Sequence, residues 1–217
     1  MQRSLIPVSA EILANLLRDY EQGKKDTAQR FDIGRSYLEL ADTDHWEYLD
    51  KALEYLSQVG RVFPKDPVVM MLKGRAVGAK ALKASANTLR RLGWARDGFK
   101  MMDKAVQLEK DCYYLRLLRA EAALMAHPVL RRAGRLQEDV KYLESFAKKA
   151  EFEVLPAHVK SRIALFMGNH ARHLKHADKA RDHWHHAIKL DATSPYATEA
   201  RQRLDGTFRD LGYTEES

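Results

Sequence analysis

The chain is 217 residues long, with 45% hydrophobic and 31% charged residues. This composition is typical of a folded protein and excludes wholesale disorder. Six prolines and eleven glycines are too few for the frequent turns of a β-sandwich, so long helices joined by short connections are favoured. The single cysteine, Cys112, cannot form an internal disulfide, and we expect it to be a small, semi-buried structural residue.

The formal net charge is +7, from 37 lysines and arginines against 30 aspartates and glutamates. A basic balance invites nucleic-acid or membrane partners, but acidic residues are interleaved with the basic ones along the whole chain. The first residues lack the apolar core of a signal peptide, and no run approaches the roughly eighteen apolar residues of a membrane span. The sequence therefore predicts a cytoplasmic protein without a membrane span.

Apolar residues recur at spacings of three and four almost throughout the chain, which predicts amphipathic helices and no confident strand. The first helix is expected near 9–22, and a second carries the apolar stripe over 31–40. Asp44 begins the third helix, with Glu47 as its capping box, and Pro64 closes it. Further helices are predicted near 67–90, 94–109, 112–126, 135–150, 156–174, 177–190 and 195–211. About ten helices, paired antiparallel by short connections, make the fold class all-α.

One segment carries a clear repeat signal. Gly168 is followed by Ala180, Trp184 and Ala187, and Pro195 then opens the next helix. Two helix axes approach within about 8–10 Å only where the side chains between them are small. This pattern resembles the tetratricopeptide-repeat (TPR) motif, in which a small residue lies at the helix crossing, alanines face it and an aromatic side chain wedges beside them.

Three further segments resemble the motif less closely, with extra residues between their helices. The matching sets are Gly34 with Ala52 and Leu56, Gly74 with Gly98 and Met102, and Ala120 with Tyr142 and Ser145. The segment over 100–143 also resembles bacterial TPR-like proteins. Four matches in chain order favour a degenerate repeat over a generic helical bundle whose small residues fall at these spacings by chance.

The resemblance implies antiparallel helix pairs stacked as a right-handed, TPR-like α-solenoid of about four repeats plus end helices. The whole chain is then predicted to be one TPR-like helical domain, 1–217. It would comprise an N-terminal helix within 1–26, about four degenerate helix pairs over 27–194, a capping helix at 195–211 and a flexible tail at 212–217.

In TPR-like arrays the first helix of each pair lines a concave groove, and the resemblance implies which residues point into it. They are Phe31, Arg35, Leu38, Met71, Arg75, Tyr114, Leu117, Glu121, Leu165, Asn169, Arg172 and His173. The arginine forks favour carboxylates, so an extended or helical peptide of acidic character is the expected ligand. The alternative is that these arginines pair with neighbouring acids on a solvated face. The chain lacks the lysines and asparagines of the clamp of chaperone-binding TPR proteins in the required order, so a chaperone tail is not predicted as the ligand.

The sequence lacks the nucleotide-binding, nucleophile and zinc-binding motifs that are typical of enzymes. It has no glycine-rich nucleotide-binding loop and no G-x-S-x-G nucleophile elbow. The late histidines His170 and His173, and likewise His183 and His186, lie three apart without the glutamate of an H-E-x-x-H zinc helix. We therefore predict no catalytic residue, no cofactor and no metal, and a protein that is not an enzyme.

The sequence thus predicts a non-catalytic scaffold or adaptor that binds another protein or peptide in its groove. A nucleic-acid binder is the first alternative, with a basic convex face around Arg90, Arg91, Arg96, Lys100 and Lys104. A structural subunit of a larger assembly is the second. Self-association as a homodimer stays open.

Overall fold

The computed structural model of the protein describes residues 8–23, 25–41, 45–83 and 86–207, and all regular structure within these ranges is helical. The α-helices are α1 (Ala10–Glu21), α2 (Thr27–Leu40), α3 (Glu47–Val62), α4 (Pro67–Ala79), α5 (Thr88–Leu108), α6 (Tyr113–Leu124), α7 (Ala133–Phe146), α8 (Ala150–Glu153), α9 (Ala157–His173), α10 (Ala177–Leu190) and α11 (Pro195–Leu204). Two short 3-10 turns, Lys80–Leu82 and Pro128–Leu130, lie between them. The predicted all-α class is confirmed.

The described helices fall into two compact units, divided in the last turn of α6. The first unit contains α1 to α6 and the second contains α7 to α11. Each unit holds helix pairs joined by short connections, α2–α3 and α4–α5 in the first and α9–α10 in the second. The assignment of the whole chain to one domain stays a prediction.

Glycines mark the closest approach of the helices in the first unit. A Cβ added to Gly74 would lie 2.8 Å from the carbonyl oxygen of Gly98, and one added to Gly98 would lie 2.6 Å from the carbonyl oxygen of Gly74. The α4 and α5 backbones therefore touch directly. In the pair before, a Cβ on Gly34 would lie 2.9 Å from Cγ of Leu56. The small residues predicted at these two crossings are confirmed.

In the second unit, an aromatic side chain fills the contact between α9 and α10. A Cβ on Gly168 of α9 would lie 2.5 Å from Cδ1 and Nε1 of Trp184 on α10, so the buried indole occupies the space that a side chain would need. Ala180 and Ala187 are buried beside it, as the motif implies. Leu204 of α11 packs against the same core, which joins all three helices.

Two buried serines tie the ends of these helices together. The Ser161 hydroxyl of α9 donates to the carbonyl oxygen of Ala187 at the end of α10, at 2.9 Å. The hydroxyl of Ser194 lies 3.2 Å from that of Ser161 and accepts a hydrogen bond from the amide of Ala197, which caps α11. Polar groups that are buried at three helix ends are thereby satisfied.

The helix boundary predicted between 67–90 and 94–109 is wrong. The first helix ends at Ala79, and the second begins at Thr88 after a 3-10 turn. The start is fixed by Asn87, whose side-chain oxygen accepts a hydrogen bond from the amide of Arg90 at 2.9 Å. The chain is helix-compatible on both sides of this cap, so the sequence pattern shows no break there.

The ends of two other helices differ from the prediction, and one predicted helix cap lies outside the described residues. The helix predicted over 135–150 runs from Ala133 to Phe146, and the capping helix predicted to 211 ends at Leu204. The latter stops because Gly206 has a φ of 76°, a left-handed conformation that does not continue an α-helix. Asp44, the predicted cap of the third helix, lies outside the described residues.

Candidate functional site

A charged cluster joins α2 and α4, the first helices of the two pairs in the first unit, to α6. Arg75 of α4 places Nη1 3.2 Å from Oε1 of Glu39 on α2 and Nη2 3.6 Å from Oε2 of Glu121 on α6. The three side chains, named here the Arg75 cluster, are each between a fifth and a quarter exposed. One arginine against two glutamates leaves a net charge of −1. The surface that α2, α4 and α6 share at this cluster is the first-helix face of the unit.

Half of the predicted groove residues lie in the core of their own unit. Six are buried and belong to the core, so they present almost no surface to a ligand: Phe31, Leu38, Met71, Tyr114, Leu117 and Leu165. Met71 and Leu117 have no exposed area at all. Arg35, Arg75 and Glu121 stay partly accessible, and the last two belong to the Arg75 cluster.

The second unit carries the other three predicted residues. Asn169 is half-buried, and its side chain is held from two sides. Its Oδ1 accepts a hydrogen bond from Nε1 of Trp184 at 3.0 Å, and its Nδ2 donates to Oε1 of Glu199 at 3.4 Å. Glu199 also pairs with Arg203 at 2.7 Å. The amide of Asn169 is therefore committed to the fold, while Arg172 and His173 lie exposed at the end of α9.

Glu39 and Glu199 are the polar residues that sequence reasoning missed. Glu39 lies four residues after Arg35, one helical turn along the same face, and this spacing was the available signal. Glu199 lies on α11, the helix that the sequence predicts as a cap. Its pairing with Arg203 at i, i+4 is readable from the sequence, but its contact with Asn169, 30 residues earlier, is not.

A row of aromatic rings crosses α1, α2 and α3 and was also missed. Tyr37 packs edge-on against Tyr48, with ring centroids 5.2 Å apart, and stacks on Tyr55 at 6.1 Å. Tyr55 meets the edge of Tyr20 at 5.8 Å, and the guanidinium of Arg30 lies 5.8 Å from the Tyr20 ring. The rings contact one another across three helices, so they stabilise the packing of α1 on the α2–α3 pair.

The pKa values of two histidines in the second unit are lowered. Burial lowers the pKa of His170, helped by His173 and His176 and opposed by Glu144. Burial likewise lowers the pKa of His183, helped by His186. The His170 ring stacks on Phe166 at 6.4 Å. Both imidazoles are therefore favoured in their neutral form in the folded protein.

The free energy of unfolding is expected to fall as the pH drops from about 7 towards 5. Because the folded-state pKa of His170 and His183 is lowered, the unfolded chain binds protons more readily just below about pH 6.5, and acid favours unfolding. His170→Gln should flatten this slope in urea titrations followed by circular dichroism. His185→Gln, at an exposed position on α10, serves as the control and should keep the wild-type slope. A variant at His170 with an unchanged slope would contradict the assignment.

Reactive chemistry has little support among the described residues. No group of three histidine, cysteine or acidic side chains there could hold a metal ion. Cys112 is half-buried at the start of α6, and burial raises the pKa of its thiol, although the amides of Leu115 and Tyr114 act in the opposite direction. The thiol is therefore protonated at neutral pH, which agrees with the expected structural role.

No protein-family model matches the sequence, and no curated protein matches it. Among solved structures, the chain is similar to a thermophilic TPR protein from Thermus thermophilus, with a TM-score of 0.61 and 15% sequence identity. The likeness covers 90% of this chain and 88% of that one. The fold is TPR-like. This confirms the resemblance drawn from Gly168, Ala180 and Trp184.

None of the helices in the described ranges has both the length and the apolar character needed to cross a bilayer.

Proposed function

We propose that this protein is an interaction scaffold that binds a peptide segment of a partner on the first-helix face of its first unit. The observation that carries the proposal is the Arg75 cluster, where α4 holds Arg75 3.2 Å from Glu39 of α2 and 3.6 Å from Glu121 of α6, all three side chains being partly exposed. Side chains held on rigid helices make a preorganised site, which reduces the entropy lost on binding.

The charge of the cluster indicates which segment would bind there. Arg75 already contacts two carboxylates, so a further carboxylate would be repelled, whereas a lysine or arginine of the partner would find Glu39 and Glu121 beside it. We therefore propose a segment with a basic side chain at this position. An acidic segment, as the sequence favours, is the second candidate and would depend on Arg35 and Arg75.

The sign of the effect of Arg75→Gln separates the two candidates. Peptides are selected from a displayed random library on the immobilised protein, and their affinities are measured by calorimetry. For a basic peptide, Arg75→Gln is expected to raise affinity several-fold because the cation that contacts both Glu39 and Glu121 is removed. The double variant Glu39→Gln/Glu121→Gln should lower it by at least about tenfold, roughly 1.4 kcal/mol. For an acidic peptide, Arg75→Gln should lower affinity.

Arg135→Gln is the matched control, since Arg135 also forms an ion pair, with Glu138 at 2.8 Å, but lies on α7 of the second unit. It should leave peptide affinity unchanged. Selected peptides that bind the wild type and all these folded variants equally would exclude the first-helix face as the binding site. A homodimer and a cytoplasmic location stay predictions from the sequence.

A further inference from the structure

The excess positive charge of the chain is concentrated around α5. Between Lys73 and Lys104 there are nine lysines and arginines and only two aspartates. Arg96, Lys100 and Lys104, named here the α5 stripe, follow one another at four-residue spacing along the helix and are all exposed. At 1.5 Å per residue, the stripe presents one cation about every 6 Å along a single face.

The α5 stripe differs in its surroundings from Arg75 and Arg119. Arg75 and Arg119 each pair with an acidic side chain, Arg119 with Asp103 at 3.0 Å. In the described part of the chain, no acidic side chain lies within ion-pair distance of the three stripe residues. Their charge is therefore available to an anionic partner.

An indole lies on the flank of the same helix. Trp94 is half-buried, with Nζ of Lys80 5.4 Å and Cζ of Arg90 5.7 Å from its ring centroid. Aromatic rings beside cations are the surfaces on which bases of single-stranded nucleic acids stack. The cations of the stripe would meet the phosphates, and the ring and Arg90 would meet a base.

The polarity of this surface favours a nucleic acid over an acidic protein. Interfaces between proteins have an apolar centre, whereas those with nucleic acids are more polar and much more positive. The large apolar side chains that α5 exposes, Leu89 and Leu108, lie at its two ends and not between the cations. We propose that the solvent face of α5 binds single-stranded nucleic acid through its phosphates. This inference does not rest on the proposed peptide site.

The test measures binding of fluorescein-labelled dT20 and rU20 by anisotropy between 50 and 200 mM salt. Three phosphate contacts should give a slope of about −2 in log affinity against log salt, or about a twentyfold loss across this range. The triple variant Arg96→Gln/Lys100→Gln/Lys104→Gln should lose at least tenfold in affinity at 100 mM salt, together with most of the slope. Comparison of the two oligonucleotides separates DNA from RNA as the source of the phosphates.

A matched variant removes the same charge elsewhere. Lys148→Gln/Lys149→Gln/Lys189→Gln changes three exposed lysines of the second unit and should bind as the wild type does. Arg75→Gln should also leave oligonucleotide binding unchanged, which keeps this test separate from that of the peptide site. The proposal is overturned if the α5 triple variant binds like the control, or if polyglutamate binds as tightly as either oligonucleotide.

Discussion

Gly98→Ala is expected to lower the free energy of unfolding by about 3 kcal/mol. Added atoms in a packed interface force backbone shifts that typically cost 1 to 3 kcal/mol. Here the new Cβ would lie 2.6 Å from the carbonyl oxygen of Gly74 and 2.7 Å from Cα of Gly78, so α4 and α5 must separate. Urea denaturation followed by circular dichroism measures the loss.

Gly93→Ala provides the same substitution on the same helix, one and a half turns earlier. No atom lies within 4 Å of a Cβ at this exposed position, so alanine should stabilise the protein by about 1 kcal/mol through its higher helix propensity. The two substitutions change the free energy of unfolding in opposite directions. Because the residue types and the helix are the same, the difference comes from the packing around each glycine. Equal effects would contradict direct backbone contact between α4 and α5.

Trp184→Ala is expected to lower the free energy of unfolding by about 4 kcal/mol, because removal of a buried indole leaves a large cavity. The ring fills the space above Gly168 and donates to Asn169, so the substitution removes packing and a hydrogen bond together. Hydrogen exchange should place the loss of protection in α9 and α10, along the contact between Ser161 and Ala187.

Trp184→Phe separates the two contributions. Phenylalanine keeps an aromatic ring in the wedge but cannot donate to Oδ1 of Asn169, so a smaller loss of about 2 kcal/mol is expected from the missing hydrogen bond and the reduced volume. If Trp184→Phe were as damaging as Trp184→Ala, the hydrogen bond to Asn169 and not the packing would be the main contribution of the indole.

The helical class and the crossing glycines could be predicted from the sequence because both depend on local spacing. Amphipathic periodicity identifies the helices, and a glycine placed before small residues of the next helix identifies Gly74 and Gly168 as crossings. The break before α5 could not be found in this way. Residues on both sides of it, such as Leu82 and Leu89, are good helix formers, and the position of α5 is set by the contact of Gly98 with Gly74.

The candidate site was predictable only in part, for a similar reason. Arg75 and Glu121 could be placed on first helices from the repeat pattern, but Glu39 contacts Arg75 from 36 residues away, and no local spacing encodes that pairing. The apolar residues assigned to the groove lie in the core because a first helix packs against neighbours on more than one side. Met71, with no exposed area, illustrates how this second contact removes a side chain from the surface.

The contact between Ser161 and Ser194 affects when the second unit can complete its folding during synthesis. Ser161 is completely buried, yet the hydroxyl beside it comes from a residue 33 positions later. While the chain emerges from the ribosome, α9 and α10 can pair before α11 has been synthesised. The surface of α9 and α10 on which Ala200 later packs is then open to water. The second unit therefore reaches its full protection from proteases only after residues 194–204 have left the exit tunnel.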